Sequence, residues 1–205
     1  DGDRMCDDIM RAAISARSGS WKMAASIESD LGLTADLPRL GEHTAFTTAV
    51  GDRWLSAALC PESDEKFLKS SEYPRLIGTE DSGHLVMPVP YPNQEDSWGL
   101  VGDGAATLLA SLMARAVLSN ESGIRAFQGG WKKRISIQPS VRERWTGKNE
   151  LSELVQTTAE QWCGTNLVQY DVQGEATLQF LEGILDGFPF SIAVRNSGTD
   201  RKSGV

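Results

Sequence analysis

The sequence predicts an α/β fold, in which a mixed-sheet α/β domain with flanking helices precedes a small α+β C-terminal domain. Three observations predict it. Apolar residues recur at helical spacing in several segments, short apolar runs typical of strands lie between those segments, and small polar residues interrupt the pattern past the middle of the chain. A chain of 205 residues with 40% hydrophobic residues is long enough to bury a sizeable core.

The first part of the chain alternates helices and strands. Ser29 and Asp30 are predicted to cap a brief helix that ends before Pro38, and Gly102-Asp103-Gly104 leads into a long helix of strong helix formers. The predicted helices are Asp8 to Ala16, the brief one after Asp30, Asp52 to Leu59, and Ala105 to Leu118. The predicted strand is Met23 to Ile27, and Leu85 to Val89 is expected to be a strand or a loop.

Small and polar residues at Ser119 to Gly123 and at Gly129-Gly130 indicate a domain boundary. We therefore expect one domain over residues 1–124 and a second over 125–205. The second domain is predicted to contain a strand from Arg134 to Gln138, a helix from Asn149 to Trp162, and strands at Leu167 to Val172, Ala176 to Leu181 and Phe190 to Val194.

Charge and composition exclude several classes of protein. The formal charge of −8 opposes binding to nucleic acid, and no apolar run approaches the length that spans a bilayer. The cysteines Cys6, Cys60 and Cys163 are odd in number and far apart, which argues against a disulfide framework or a zinc site. We expect a cytoplasmic protein with no nucleic-acid or membrane partner.

Three segments carry side chains suited to chemistry. Asp1-Gly2-Asp3-Arg4 places alternating carboxylates on a predicted tight turn, which suits Mg²⁺ but is also common in surface turns. The stretch 80–84 combines a carboxylate, a hydroxyl and an imidazole, which suits a polyol or an ordinary polar loop. The stretch 195–199 offers a guanidinium, hydroxyls and a Gly turn, which suits a phosphate or a simple strand-ending turn.

Taken together, these segments resemble the α-D-phosphohexomutases, the family of phosphoglucomutase, phosphomannomutase and phosphoglucosamine mutase. Residues 1–4 resemble the end of that family's metal loop, D-x-D-x-D-R, and residues 79–84 resemble its sugar motif, G-E-x-S-G-H. Residues 195–200 resemble its phosphate loop, R-P-S-G-T-E, with Asn196 in place of proline. Val50-Gly51-Asp52-Arg53 and the Asp-Gly before the long helix also match, so the resemblance covers nearly the whole chain, as the third and fourth domains of the family.

The resemblance implies a role for each matching residue. Asp1 and Asp3 would bind Mg²⁺, and Arg4 would lie beside the transferring phosphoryl group. Glu80 and Ser82 would hydrogen-bond the sugar, and His84 would transfer a proton or position the substrate. The phosphate that is not being transferred would be held by Arg195, Ser197, Gly198 and Thr199.

The implied activity is that of an isomerase which interconverts hexose 1-phosphate and hexose 6-phosphate through a phosphoserine and a bisphosphorylated sugar. The family's serine loop is not among these residues, so we expect the remainder of the same polypeptide or a partner chain to supply it. Only three residues separate the metal loop from the helix predicted at Asp8, which predicts that a strand and hairpin of a longer protein are missing here. The alternative is a non-catalytic phosphosugar-binding or scaffold paralogue.

Overall fold

The computed structural model describes residues 1–17, 19–61, 68–120, 123–138 and 141–196. It divides into two compact units, Asp1–Trp131 and Lys132–Val205. The first unit combines helices with a six-stranded mixed sheet, and the second contains a small three-stranded antiparallel sheet. The predicted α/β fold class is confirmed.

The first unit is built on one sheet with the strand order β2-β1-β4-β5-β6-β3. The strands are β1 Lys22–Ser26, β2 Thr44–Thr48, β3 Leu68–Lys69, β4 Leu76–Thr79, β5 Leu85–Pro90 and β6 Ser97–Gly102. The helices are α1 Gly2–Ala16, α2 Leu31–Ala35, α3 Asp52–Leu59 and α4 Gly104–Asn120, with a 3₁₀ turn at Leu37–Leu40. β1 pairs in parallel with β2 and β4, whereas β5, β6 and β3 add in antiparallel fashion.

Alternate residues of the central strands face two different apolar layers. Met23, Ile77 and Met87 pack with residues of α1, whereas Ala24 and Val86 pack with Leu55 and Leu59 of α3. Successive side chains on a strand point to opposite faces of the sheet, so α1 covers one face and α3 covers the other. The long helix α4 lies beside α1 and buries its small residues Thr107, Ser111 and Ala114.

A buried ion network fastens residues 124–130 to this unit. The Asp7 carboxylate, 1% exposed, pairs with Arg39 and with Arg11 and accepts a hydrogen bond from the Phe127 N–H. Burial lowers the pKa of Arg39 to about 10, with the Arg125 and Arg4 charges adding to the effect, so the guanidinium remains charged at neutral pH. These bonds explain why the first unit extends to Trp131, past the boundary expected at 124.

The second unit packs one helix on one face of its sheet. The helix α5 is Glu150–Cys163, and the strands β7 Val168–Tyr170, β8 Gln179–Leu185 and β9 Phe188–Val194 pair in that order. Ala159 of α5 contacts a cluster formed by Leu167, Leu181, Phe190 and Ile192. At the start of α5, the Asn149 N–H donates to the Ser152 hydroxyl at 2.8 Å and the Ser152 N–H donates to the Asn149 carbonyl at 2.8 Å. Gly164 ends the helix in the left-handed conformation.

Two local predictions were wrong. The strand predicted from Arg134 to Gln138 does not form, because Ile135 and Ile137 are 70% and 72% exposed and their alternation faces no apolar layer. The helix predicted from Asp8 begins instead at Gly2, because the Asp1 side chain caps it. Within the described ranges, no helix is both long and apolar enough to cross a membrane.

Candidate functional site

The parallel strands β1, β2 and β4 end at the same edge of the sheet, and this edge collects the polar segments of the first unit. Residues 27–30 follow β1, residues 49–51 follow β2, and residues 80–84 follow β4. β2 and β4 lie on opposite sides of β1, which makes this edge a point where the chain's strand order reverses. Ligands of open α/β sheets bind at such points, outside the carboxyl ends of the strands.

The first turn of α1 lies against this edge. Asp1 Oδ1 accepts hydrogen bonds from the backbone N–H groups of Asp3 at 3.0 Å and Arg4 at 3.3 Å. The predicted tight turn at residues 1–4 is therefore a capped helix start. The Gly2 N–H donates to the Asp81 carbonyl at 3.2 Å, and a Cβ at Gly2 would lie 1.9 Å from the Glu80 carbonyl oxygen. Only glycine allows this close approach of helix and loop.

Three carboxylates converge where the helix start meets the loop. Asp1, Asp3 and Asp81 each offer an oxygen, and these oxygens all lie within 4.8 Å of one another. Asp3 is 1% exposed and its Oδ2 accepts the Asp30 N–H at 2.8 Å, which fixes the orientation of the carboxylate. Oxygen ligands of this type suit Mg²⁺, so the donor set fits the metal that the sequence predicted. Asp81 adds a carboxylate that was not assigned to the metal.

Cys6 lies one turn of α1 beyond Asp3 and is fully buried. Burial raises the pKa of its thiol far above the usual range, and the neighbouring Asp3 charge raises it further. The thiolate is the form of cysteine that binds metals and attacks substrates. Cys6 therefore remains a neutral thiol and belongs to the core.

Residues 80–84 form the tight connection between β4 and β5. The Glu80 N–H donates to the His84 carbonyl at 2.9 Å, the Gly83 N–H donates to the Glu80 carbonyl at 3.0 Å, and Gly83 has a φ of +101°. The Glu80 carboxylate accepts the Gly51 N–H on one oxygen and the Ser82 hydroxyl, at 3.3 Å, on the other. A carboxylate has about four lone-pair sites, so Glu80 keeps capacity for hydroxyl donors.

His84 and Asp52 meet beside this loop. The imidazole Nδ1 lies 3.2 Å from Asp52 Oδ1, and both side chains are partly exposed to solvent. Asp52 is the first residue of α3, directly after the Gly51 whose N–H bonds to Glu80. The start of α3 thus contacts both ends of the loop.

Arg4 lies on the neighbouring side of α1. Its Nη1 donates to the Phe127 carbonyl at 2.8 Å, and its guanidinium carbon lies 4.1 Å from the centre of the Phe127 ring. The Asp30 carboxylate next to it accepts the N–H groups of Gly32 and Gly130. A Cβ at Gly129 would lie 2.9 Å from Arg4 Nη2 and 3.2 Å from Asp30 Oδ2, so the two side chains lie close together against this glycine.

The predicted phosphate loop belongs to the second unit. Arg195 follows β9, and its Nη1 lies 2.8 Å from Glu175 Oε1 in a partly buried ion pair. Asn196 donates to the carbonyls of Arg142 and Trp145. Ser197, Gly198 and Thr199 lie outside the described residues.

Comparison with protein-family models finds no match, and comparison with curated proteins finds no similar sequence. The first unit brings together Asp1, Asp3, Glu80, Ser82 and His84, all of which were predicted from the sequence. The assignment missed Asp81 and Asp52, although both lie inside the quoted motifs. Their residue types were visible, but their contacts join positions far apart in the chain.

Proposed function

We propose that this protein is a Mg²⁺-dependent phosphohexomutase, which interconverts hexose 1-phosphate and hexose 6-phosphate. One observation carries the proposal. The segment that resembles the metal loop and the segment that resembles the sugar motif meet at one edge of the sheet, where three carboxylates converge beside Glu80, Ser82 and His84. The metal-binding carboxylates and the sugar-binding side chains must lie no farther apart than the length of one phosphorylated hexose if both are to contact it.

The division of work follows from charge. Asp1, Asp3 and Asp81 would hold Mg²⁺, which neutralises charge on the phosphoryl group during transfer. Glu80 would accept hydrogen bonds from sugar hydroxyls while its bonds to Gly51 and Ser82 keep it in place. Arg195, which belongs to the second unit, would bind a phosphate, because a guanidinium recognises phosphate oxygens whichever carbon bears them.

We assign the phosphoserine role to none of the residues that the structure describes, and the phosphoserine would come from the remainder of the polypeptide or from a partner chain. Catalysis of phosphoryl transfer depends mainly on positioning and charge neutralisation, which are the tasks these residues would perform. The described cysteines are all free thiols, which suits the reducing cytoplasm where we place the reaction.

The proposal predicts that sugar binding and metal binding respond to different carboxylates. In Glu80→Gln, we expect at least tenfold weaker binding of glucose 1,6-bisphosphate with Mg²⁺ affinity almost unchanged. The amide oxygen can still accept the Gly51 N–H and the amide nitrogen can donate to the Ser82 hydroxyl, but the charge is lost. In the matched variant Asp81→Asn, we expect the opposite result: Mg²⁺ affinity falls more than the affinity for glucose 1,6-bisphosphate. Isothermal titration calorimetry of each variant, with and without Mg²⁺, measures both.

Equal loss of both affinities in Glu80→Gln would contradict the assignment of this loop to the sugar. Turnover is then measured on the polypeptide that includes the serine loop. Mutase activity with glucose 1-phosphate or mannose 1-phosphate supports the enzyme. Binding of these sugars without turnover would favour the non-catalytic paralogue.

The proposed phosphate-binding role of Arg195 is tested separately. We expect Arg195→Ala to weaken binding of glucose 1,6-bisphosphate by about tenfold to a hundredfold, which corresponds to the loss of one charge-assisted hydrogen-bonding fork. The control is Arg144→Ala, which removes the same charge from an exposed residue of the same unit. Equal affinities of the two variants, measured by calorimetry at one ionic strength, would exclude a phosphate-binding role for Arg195.

A further inference from the structure

Two segments that match the sequence motifs have no role in the proposed chemistry, namely Val50 to Arg53 and Gly102 to Gly104. They meet at Asp52. Asp52 opens α3, and the end of β6 passes its carboxylate so closely that a Cβ at Gly102 would lie 2.3 Å from Asp52 Oδ2. The packing therefore limits where the carboxylate can point. Its other oxygen, Oδ1, lies 3.2 Å from His84 Nδ1.

We propose that Asp52 is a positioning residue, which holds the His84 imidazole with the proton on Nδ1 and leaves Nε2 to accept a hydrogen bond from a hydroxyl of the bound hexose. This inference rests on the proposed function for the identity of the hydroxyl donor. The geometry of the pair itself rests only on the described contacts.

The reason for this tautomer is the acceptor. A carboxylate presents only lone pairs, so a neutral imidazole that hydrogen-bonds to it must donate an N–H. With the proton on Nδ1, the opposite nitrogen Nε2 carries a lone pair and can only accept. The side chain of His84 is 66% exposed, so a ligand beside the loop has access to it.

Neighbouring hydrogen bonds hold the backbone of His84 in place. Gly51 donates its N–H to the Glu80 carboxylate, and the Glu80 N–H donates to the His84 carbonyl. Gly51 and Asp52, at the start of α3, therefore contact the first and last residues of the loop, Glu80 and His84. The positions of Glu80 and His84 are thus fixed relative to each other.

The chain contains an internal reference for the test. Its other histidine, His43, accepts the Trp21 N–H on Nδ1 at 3.0 Å, so a neutral His43 carries its proton on Nε2. The two histidines are thus expected in opposite tautomers. Long-range ¹H–¹⁵N correlation spectra of the imidazoles distinguish the two forms directly, without any assay of activity.

We expect His84 with its proton on Nδ1 and His43 with its proton on Nε2, in one spectrum at a pH where both are neutral. Asp52→Ala should convert His84 largely to the Nε2–H form, whereas Glu150→Ala, which removes a carboxylate from the first position of α5, should leave both unchanged. A proton on Nε2 of His84 in the native protein, or the same His84 spectrum in Asp52→Ala, would overturn the proposal.

A second pair of variants leaves both partners intact. Gly102→Ala should push the Asp52 carboxylate aside and reduce the Nδ1–H form of His84, whereas Gly99→Ala on the same strand meets only ordinary contacts at 3.8 Å and should not. An unchanged His84 spectrum in Gly102→Ala would also count against the role of Asp52.

Addition of glucose 6-phosphate or mannose 6-phosphate then tests the acceptor at Nε2. We expect the Nε2 resonance of His84 to shift on binding and that of His43 to remain. Binding seen by calorimetry without a shift of the Nε2 resonance would overturn the acceptor role and leave the mutase proposal standing. If neither sugar binds while the tautomers are as expected, the result would count against the mutase and not against the Asp52–His84 pair.

Discussion

Replacement of Asp7 by alanine is expected to lower the free energy of unfolding by about 3–5 kcal/mol, the usual cost of removing one partner of a buried ion pair. The Asp7 side chain is 1% exposed and pairs with Arg39, whose side chain is 8% exposed. Without the carboxylate, a charged guanidinium remains buried, and the Phe127 N–H loses its acceptor. Urea denaturation followed by far-UV circular dichroism measures the change.

Asp8→Ala is the matched control, because Asp8 is the next residue of the same helix. Its carboxylate is more exposed than that of Asp7 and pairs with Arg11 and with Arg115, which is largely exposed. We expect a smaller loss of stability than in Asp7→Ala, because Arg11 keeps its pair with Asp7 and the pair with Arg115 is exposed to solvent. Similar losses of unfolding free energy in the two variants would show that the buried Asp7–Arg39 pair stabilises this unit no more than the pairs of Asp8 do.

Replacement of Gly2 by alanine is expected to disrupt the carboxylate cluster and to cost about 1–3 kcal/mol of stability, as overpacking of a close contact does. The new Cβ would lie 1.9 Å from the Glu80 carbonyl oxygen and 3.1 Å from the Gly83 Cα, and backbone atoms cannot turn aside as a side chain can. The helix start must then move away from the loop. We expect Mg²⁺ affinity, measured by calorimetry, to fall at least tenfold because Asp81 no longer faces Asp1 and Asp3.

Gly104→Ala provides the comparison, since Gly104 also opens a helix and a Cβ there would meet no atom within 4 Å. We expect this variant to be as stable as the native protein or more so, because alanine loses less conformational freedom than glycine in a helix. If Gly2→Ala also kept full stability and Mg²⁺ affinity, the close contact between α1 and the loop would be excluded.

Local signals allowed several elements to be predicted with accurate bounds. The predicted helix from Asp52 to Leu59 matches α3, and the helix predicted from Asn149 matches α5 to within one residue at each end. In both helices hydrogen bonds at each end join residues three or four positions apart in the sequence, so a local pattern is enough to predict them. The strand β1 was also predicted, because its apolar run is bounded by polar residues.

Strands with buried residues on both faces were harder to find. Leu76 to Thr79 forms β4, and all four residues are buried, so no alternation marks it. Its identity as a strand depends on β1 and β5, its partners on either side. The alternation of Ile135 and Ile137 misled in the opposite direction, since a period of two gives a strand only where another layer covers it.

The candidate site divides in the same way. Single residues and short motifs identified the carboxylates, the hydroxyl and the imidazole, because the chemistry of a side chain is a property of the sequence alone. Which of them meet was decided by the sheet, whose parallel strands end together and bring Asp81 to Asp1 and Asp52 to His84. Contacts between residues so far apart depend on packing across the whole unit, and no local pattern encodes them.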